Sequence, residues 1–254
     1  MIYIIYLSIV FILLLFVYFE WQKSVVFHPK FYRDMSLYDN QYTFLTLKSG
    51  NITLEGCMYE PEGPKGTILY FGGRGQDSVG LLPKLVETLP NLRIVTFNYR
   101  GYGKSQGNPN EKALLQDGVL VAQKIQKRYQ NVTVIGYSLG GSIASYVALH
   151  VKVSSLVLIG AFCSLDSLIY QKYKRKLPLL RYHFFTCKYL KDVKIPVALL
   201  ISKDDDVIDY NESKKIKEFI QKLYIYKELD KLNHRELLLN KEVISVINEI
   251  VQNS

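Results

Sequence analysis

The chain has 254 residues, of which 48% are hydrophobic and 22% charged, a balance typical of a globular protein long enough to bury a sizeable core. Its formal net charge of +9 favours an anionic membrane surface, nucleic acid or an acidic substrate as a partner. The basic residues are spread along the chain, and no nucleic-acid-binding motif frames them. We therefore expect no nucleic-acid partner.

The first predicted element is a transmembrane anchor over residues 1–20. Residues 1–19 carry no charged side chain, and as a helix they would extend about 28 Å, close to the hydrocarbon thickness of a bilayer. A cleavable signal peptide is the alternative, but no basic residue precedes the run and no small-residue cleavage site follows it. Lys23, Lys30 and Arg33 follow the anchor. The positive-inside rule then predicts a single-pass membrane protein whose globular domain lies in the cytoplasm.

Cysteines and glycosylation sequons also bear on which side of the membrane the domain occupies. The three cysteines are odd in number and far apart: Cys57, Cys163 and Cys187. This spacing predicts no disulfide framework and no zinc site, favours a reducing compartment, and marks none of the three as a nucleophile. Three sequons favour the opposite side only weakly, because such matches are frequent by chance in an Asn-rich chain: Asn51, Asn131 and Asn211.

The remaining residues, 21–254, are predicted to form one domain. An irregular connector over 21–40 is followed by two alternating segments, 42–47 and 52–57, that predict an antiparallel hairpin. Continuous apolar runs then predict strands buried on both faces: 67–71, 94–97, 132–135, 155–159, 197–201 and 223–226. Helix-like stretches alternate with most of them: 79–88, 111–129, 142–150, 212–223 and 236–251. This order predicts an α/β fold with a mostly parallel sheet and helices on both faces.

One interval, 162–192, breaks the alternation. It is polar, tyrosine-rich and basic. Because the chemistry of such sheets takes place beyond the carboxyl ends of the strands, we expect a small helical insertion over the active site.

The most specific motif is the segment 136–141 (GYSLGG), which lies between a predicted strand and a predicted helix. This order is that of a nucleophile elbow, a strained turn that exposes the hydroxyl of Ser138. Gly136 and Gly140 supply the small residues that the turn needs, and the N–H of Leu139 is directed at the same spot. A chance Gly-x-Ser-x-Gly match is the alternative.

A serine nucleophile needs a base, and the base needs an orienting acid. His234 lies between the last predicted strand and the last predicted helix, where that base belongs, although a surface histidine is the alternative. Three adjacent carboxylates follow the predicted strand 197–201, and one must be buried against the imidazole. We favour Asp205, with Asp206 as second choice. A calcium site is the competing interpretation, but the loop lacks the spaced ligands and glycine of an EF-hand.

The developing oxyanion needs two N–H donors. Leu139 is predicted to supply one. Arg74 is predicted to supply the other, because it lies in a glycine-rich loop after the predicted strand 67–71, where the backbone can approach a substrate closely. No metal ion and no cofactor is expected.

These motifs together resemble the α/β-hydrolase superfamily, and within it the membrane-anchored single-domain serine hydrolases related to the protein depalmitoylases and the serine-aminopeptidase-like domains. Besides the elbow, they comprise 22–29 (QKSVVFHP), 98–105 (NYRGYGKS), 194–196 (KIP), 205–208 (DDVI) and His234. The resemblance implies Ser138 as nucleophile, Asp205 as acid and His234 as base. Two departures are evident: Gly72-Gly73-Arg74 replaces the usual His-Gly-Asn, and Ser202 replaces a glycine before the acid's loop.

The predicted function is a membrane-anchored serine hydrolase that cleaves carboxylic esters or thioesters through an acyl-enzyme. A lipidated substrate fits this prediction. The alternatives are a catalytically silent membrane scaffold or ligand-binding protein of the same fold, supported by the atypical oxyanion loop, and a serine peptidase.

The basic residues of the insertion suggest a membrane-facing surface. We hypothesise that they face anionic lipid and let acyl chains enter from the bilayer, whereas an ordinary solvated basic face is the alternative. The residues are Lys172, Lys174, Arg175, Lys176, Arg181, Lys188 and Lys191.

Overall fold

The computed structural model describes residues 2–33, 37 and 39–253. Met1 and Ser254, the outer ends of the predicted anchor and domain, and residues 34–36 and 38 of the predicted connector lie outside this part of the chain. The first element is an apolar helix of 25 residues, α1 (Ile2–Val26). It passes the length and composition test for a membrane span, and none of its most apolar window is buried against the rest of the protein.

Helix α1 continues into the segment that was predicted to be an irregular connector. That prediction was wrong for residues 21–26, because the end of the helix packs on the domain: Gln22 and Val26 are buried. The next residue, Phe27, is also buried and meets the rings of Tyr182 and Phe184 edge-on. The predicted anchor and the body of the protein are therefore joined by a helical, packed connection.

The core of the fold is an eight-stranded sheet in the order β1-β2-β4-β3-β5-β6-β7-β8. Strands β1 and β2 form the predicted antiparallel hairpin, β2 is antiparallel to β4, and all other neighbouring pairs are parallel. The strands are β1 (Tyr42–Ser49), β2 (Ile52–Tyr59), β3 (Thr67–Phe71), β4 (Arg93–Phe97), β5 (Val132–Tyr137), β6 (Ser155–Ile159), β7 (Val197–Ser202) and β8 (Leu223–Leu229). The central strands β3, β5, β6 and β7 are buried along their whole length, which explains their continuous apolar sequences.

Helices cover both faces of the sheet. One face carries α2 (Ser78–Thr88) and α9 (Lys241–Gln252), and the other carries α3 (Glu111–Arg128) and α4 (Leu139–His150). Near the end of the chain the helix predictions were too long. The stretch predicted at 212–223 is a short helix, α7 (Tyr210–Lys215), followed by a 3₁₀ turn, and that predicted at 236–251 is interrupted between α8 (His234–Leu237) and α9.

The interval between β6 and β7 contains two short helices, α5 (Leu165–Tyr173) and α6 (Thr186–Leu190). The prediction of no disulfide was wrong, because Cys163 and Cys187 are bonded and join the start of this interval to α6. Their separation of 24 residues in the sequence hid the pairing, since only the fold of the insertion brings them together. The remaining thiol, Cys57, is buried, and burial raises its pKa to about 12, which agrees with the prediction that it is no nucleophile.

Candidate active site

Four strands deliver the predicted site residues to one edge of the sheet. Arg74 follows β3, Ser138 follows β5, Asp205 follows β7, and His234 follows β8. These strands are parallel, so their carboxyl ends meet at the same edge. Arg74 and His234, which are more than 150 positions apart in the sequence, thus converge at this edge although they share no local sequence motif.

Ser138 lies in the turn between β5 and α4. Its backbone has φ 54° and ψ −119°, a conformation that L-residues rarely adopt. Its N–H donates to the carbonyl of Ile159 at 2.9 Å, which fixes the turn against the neighbouring strand β6. The residue is 8% exposed.

The glycines of the elbow leave no space for a side chain. A Cβ on Gly136 would lie 2.4 Å from the carbonyl oxygen of Gly140, and a Cβ on Gly140 would lie 2.1 Å from that of Phe71. The turn therefore brings the start of α4 against the end of β3, where the loop predicted to hold the oxyanion begins. This close approach is why the sequence carries glycine on both sides of Ser138.

The side chains of His234 and Asp205 are buried and lie within hydrogen-bonding distance of each other. The imidazole Nδ1 lies 2.6 Å from Asp205 Oδ2, and the two side chains are 7% and 2% exposed. The other carboxylate oxygen, Oδ1, accepts the N–H groups of Val207 and Ile208, both at 2.8 Å. With the carboxylate fixed by two backbone donors, Nδ1 is held toward Asp205 and Nε2 remains available for a reacting group.

The three adjacent carboxylates have three different partners. Asp206 Oδ1 accepts the backbone N–H of His234 at 3.0 Å, and Asp204 Oδ2 accepts that of Lys231 at 2.7 Å. The hydrogen bond from the His234 N–H lowers the pKa of Asp206, which keeps this carboxylate ionised as an acceptor. Asp205 thus contacts the imidazole and Asp206 contacts the main chain. Among the described residues there is no group of three or more His, Cys, Asp or Glu side chains that could hold a metal ion.

Tyr137 is a site residue that sequence reasoning did not single out. Its ring stacks on the His234 imidazole with centroids 4.9 Å apart, and its hydroxyl donates to the His234 carbonyl at 2.8 Å. Burial raises the pKa of the Tyr137 phenol, so the hydroxyl remains a donor. Only its place inside the elbow could have drawn attention to it, because nothing in the sequence links positions 137 and 234.

Ser138 and His234 are brought close through shared neighbours. Tyr137, next to Ser138, contacts the imidazole face, and a Cβ on Gly160 at the end of β6 would lie 3.2 Å from His234 Cε1. Among the described residues, no hydrogen bond joins the Ser138 hydroxyl to the imidazole. His234 therefore lies at the elbow. Tyr137 contacts its ring and its carbonyl, and Asp206 accepts its N–H.

One predicted oxyanion donor, Leu139, belongs to the elbow, and the other, Arg74, belongs to the loop after β3. Leu139 begins α4, so its N–H belongs to the first turn, which has no intrahelical acceptor. A Cβ on Gly73 would lie 3.4 Å from Ser138 Cβ, which places the loop before Arg74 beside the elbow. Within residues 2–33, 37 and 39–253, neither the Leu139 N–H nor the Arg74 N–H donates to another group of the protein.

Gln76 orders this loop. Its Oε1 accepts the N–H of Gly73 and the hydroxyl of Tyr70, both at 2.8 Å, and its own N–H donates to the Gly73 carbonyl at 3.2 Å. Because a trans peptide directs its C=O and N–H to opposite sides, fixing the Gly73 carbonyl directs the Arg74 N–H away from Gln76. The loop is thus preorganised without the His-Gly-Asn sequence.

Comparisons with known proteins bear on the fold that carries these residues. A family described as the alpha/beta hydrolase fold matches residues 66–169, a region that contains Ser138 and both predicted oxyanion donors. Lysophosphatidylserine lipase ABHD12 of Danio rerio is 27% identical over 179 residues, which cover 59% of this chain and 46% of that protein. Protein bem46 of Schizosaccharomyces pombe is 27% identical over 184 residues, covering 64% of this chain and 60% of that protein.

Solved structures give the same fold. The Pyrococcus furiosus esterase Pf2001 superposes with a TM-score of 0.72 at 20% identity, covering 90% of this chain and 99% of that one. This chain has the α/β-hydrolase fold. The part of it that matches the two curated relatives spans only about half of their lengths, 46% and 60%.

The fold accounts for the order of the candidate residues along the chain. The elbow serine, the candidate acid after β7 and the candidate base after β8 occur in the order Ser, acid, His that is typical of this fold. The matched family region ends at residue 169, so the positions of Asp205 and His234 rest on the geometry described above.

Proposed function

We propose that this α/β-hydrolase is a membrane-anchored serine hydrolase that cleaves carboxylic esters or thioesters. The observation that carries the proposal is the buried contact of His234 Nδ1 with Asp205 Oδ2 at 2.6 Å, beside a serine held in a nucleophile elbow. A buried carboxylate that orients an imidazole is the arrangement that turns a weak serine into a nucleophile.

In the proposed mechanism, Ser138 Oγ attacks the carbonyl carbon of the substrate while His234 Nε2 takes the hydroxyl proton. Asp205 stabilises the resulting imidazolium. The N–H groups of Leu139 and Arg74 bind the oxyanion, which collapses as the protonated histidine gives its proton to the leaving alcohol or thiol. Water then attacks the acyl-enzyme by the same steps, regenerating Ser138 and releasing the acid.

The decisive experiment compares fluorophosphonate labelling of the native chain with that of Ser138→Ala. We expect labelling of the native chain and none of the variant, with His234→Ala labelled far more slowly. Absence of Ser138-dependent labelling would favour the silent scaffold or ligand-binding alternative. A peptidase would label too, so matched peptide, oxygen-ester and thioester substrates with the same acyl group separate these activities.

The comparisons also bear on the class of substrate. One relative is a lysophosphatidylserine lipase and one structural neighbour is an esterase, which supports an ester of a lipid as the substrate. Graded p-nitrophenyl esters would give the preferred acyl length, and a preference for long chains would support a lipid or lipidated substrate.

We also propose that α1 spans the membrane and holds the insertion of residues 162–192 at the bilayer surface. The Tyr18 hydroxyl donates to the Pro178 carbonyl at 2.6 Å, and the Gln22 side chain contacts Leu179 and Arg181 through one hydrogen bond each. These contacts tie the insertion to the last turns of the apolar helix, the level at which a span leaves the hydrocarbon. A cleaved signal peptide would take these contacts with it.

The basic residues of the insertion support an anionic surface as its partner. All seven predicted members are exposed, and the neighbouring Leu179 side chain is 64% exposed. Reversing Lys174, Arg175 and Lys176 to Glu should lower turnover of a membrane-embedded ester in anionic vesicles, and leave turnover of a soluble ester unchanged. Equal turnover of the embedded ester in both proteins would mean that the cluster is an ordinary solvated face.

For the side of the membrane, we propose the cytoplasm on the basis of Lys23, Lys30 and Arg33. The Cys163–Cys187 bond counts against this placement, because disulfides persist in oxidising compartments. The proposal therefore requires these two cysteines to be thiols in the cell. Alkylation of both in intact cells by a membrane-permeant maleimide supports the cytoplasmic side, and a bond that resists alkylation until reduction places the domain on the other side.

A further inference from the structure

The chain that leaves α1 wraps around the loop predicted to hold the oxyanion. The Arg74 guanidinium donates from Nη1 to the Val25 carbonyl at 2.7 Å. The Arg74 carbonyl in turn accepts the His28 N–H at 3.2 Å and the Tyr102 hydroxyl at 2.6 Å. Arg74 is therefore fixed at both its side chain and its main chain, and two of its three partners lie within three residues of the end of α1.

The side-chain contact closes the end of the helix. Val25 is in the last turn of α1, whose carbonyls have no intrahelical donor, and a cation is favoured there by the helix dipole. Arg74 supplies both the missing donor and the cation. This role accounts for an arginine where the family usually carries asparagine.

Two further contacts secure the same loop. Tyr102 accepts the His28 N–H at 3.0 Å while donating to Arg74, so the three residues form one hydrogen-bonded unit. At the other end of the loop, the Tyr32 N–H donates to Asp77 Oδ2 at 2.9 Å. Residues 25–32 thus hold both ends of the loop 74–77, which the Gln76 bonds described above fix from within.

We infer that the Arg74 side chain is a positioning residue that makes the end of the membrane helix part of the oxyanion site. Through its bond to Val25 it sets where the Arg74 N–H lies relative to Ser138. The inference rests on the proposed function, in which that N–H is an oxyanion donor. A donor displaced from the oxyanion position loses most of its stabilisation of the transition state, while substrate binding is little changed.

The test uses the full chain reconstituted in lipid vesicles, assayed with a soluble p-nitrophenyl ester. Arg74→Ala keeps the N–H and removes the bond to Val25. We expect kcat to fall about 10- to 100-fold with KM changed less than about 2-fold. Arg74→Lys, which restores a cation at the helix end, should recover part of the loss. Arg128→Ala removes an exposed arginine from the last turn of another helix, α3, and should leave kcat unchanged.

A second readout separates positioning from a general loss of structure. A boronic acid that forms a tetrahedral adduct with Ser138 should bind Arg74→Ala more weakly, by about the same factor as the loss in kcat/KM. Tyr102→Phe removes the bond to the Arg74 carbonyl from the other side, and should act in the same direction. Its effect combined with Arg74→Ala should be less than additive, because both act on one loop.

The outcomes distinguish this inference from the proposed function. If the native chain lacks Ser138-dependent labelling, the proposed function fails first. If labelling is normal and Arg74→Ala keeps the native kcat and boronate affinity, the inference is wrong while the hydrolase stands. Should Arg74→Ala not fold, native kcat and boronate affinity in Tyr102→Phe would overturn the inference.

Discussion

At the scale of single residues, three neighbouring aspartates carry the same carboxylate group but contact different partners. Asp205 is 2% exposed at its side chain and contacts the imidazole, whereas Asp206 contacts the His234 main chain and Asp204 contacts Lys231. The backbone of the loop decides between them, because consecutive side chains leave it in different directions. Only the carboxylate that meets Nδ1 can favour the tautomer that leaves Nε2 free to accept a proton.

This division of roles predicts a graded series of substitutions. Asp205→Asn should lower kcat about 10³- to 10⁴-fold, because the amide favours the wrong tautomer. Asp206→Ala should cost about 10-fold, through a displaced His234 backbone. Asp204→Ala, the matched control, should stay near the native kcat. Steady-state kinetics with a soluble ester measures all three, and a larger loss for Asp206→Ala than for Asp205→Asn would reverse the assignment.

At the scale of elements, the strand–turn–helix of β5 and α4 depends on backbone contact with β3. Gly140 lies against the carbonyls of Phe71 and Gly72, so the elbow and the start of the loop after β3 are packed main chain to main chain. Such contact leaves no flexible side chain that could move aside to accept a larger residue. The elbow therefore requires glycine for packing as well as for the turn.

Gly140→Ala should therefore destabilise the protein by about 1–3 kcal/mol and abolish fluorophosphonate labelling, because the added Cβ forces apart the elbow and the loop. Gly75→Ala is the control for stability, since a Cβ there meets nothing within 4 Å, and it should change the free energy of unfolding by less than about 0.5 kcal/mol. Unfolding curves measure both. Equal stability of the two variants would contradict the packing argument.

At the scale of the whole molecule, the fold buries tyrosines around the active-site edge. Burial raises the pKa of the phenols of Tyr70, Tyr99 and Tyr137, and that of Tyr102 to about 12. In the unfolded chain these groups ionise near their ordinary pKa of 10.0. Because the folded pKa is the higher one, their contribution to stability is complete below pH 10 and is lost as the pH rises toward the folded values.

We therefore expect the contribution of these phenols to stability to be constant through the mildly alkaline range and to fall above pH about 10, by about 1 kcal/mol per pH unit for each phenol that stays protonated in the fold. Melting temperature against pH measures this, with tyrosinate absorbance as a second readout. Tyr99→Phe removes one of these phenols and should flatten the decline. Titration of all tyrosines near pH 10 in a folded chain would contradict the expectation.

Much of the architecture could be predicted from local sequence. The strands β3 and β6 have the predicted bounds, 67–71 and 155–159, because continuous apolar runs between turns leave little choice of element. Predictions failed where tertiary packing overrides local pattern. Helix α1 extends to Val26 because its end packs on the domain, and the Cys163–Cys187 bond depends on a fold of the insertion that residue spacing does not reveal.

By itself, the sequence predicted a first helix long and apolar enough to span a membrane, the mostly parallel sheet and the residues that could carry the chemistry. These follow from hydrophobic periodicity and from motifs read within a few positions. Only the tertiary structure decided which carboxylate meets His234, that Tyr137 stacks on the imidazole, and that Arg74 joins the loop after β3 to α1. Each of these is a contact between segments far apart in the chain, and such contacts arise from the packing of strands and loops at one edge of the sheet.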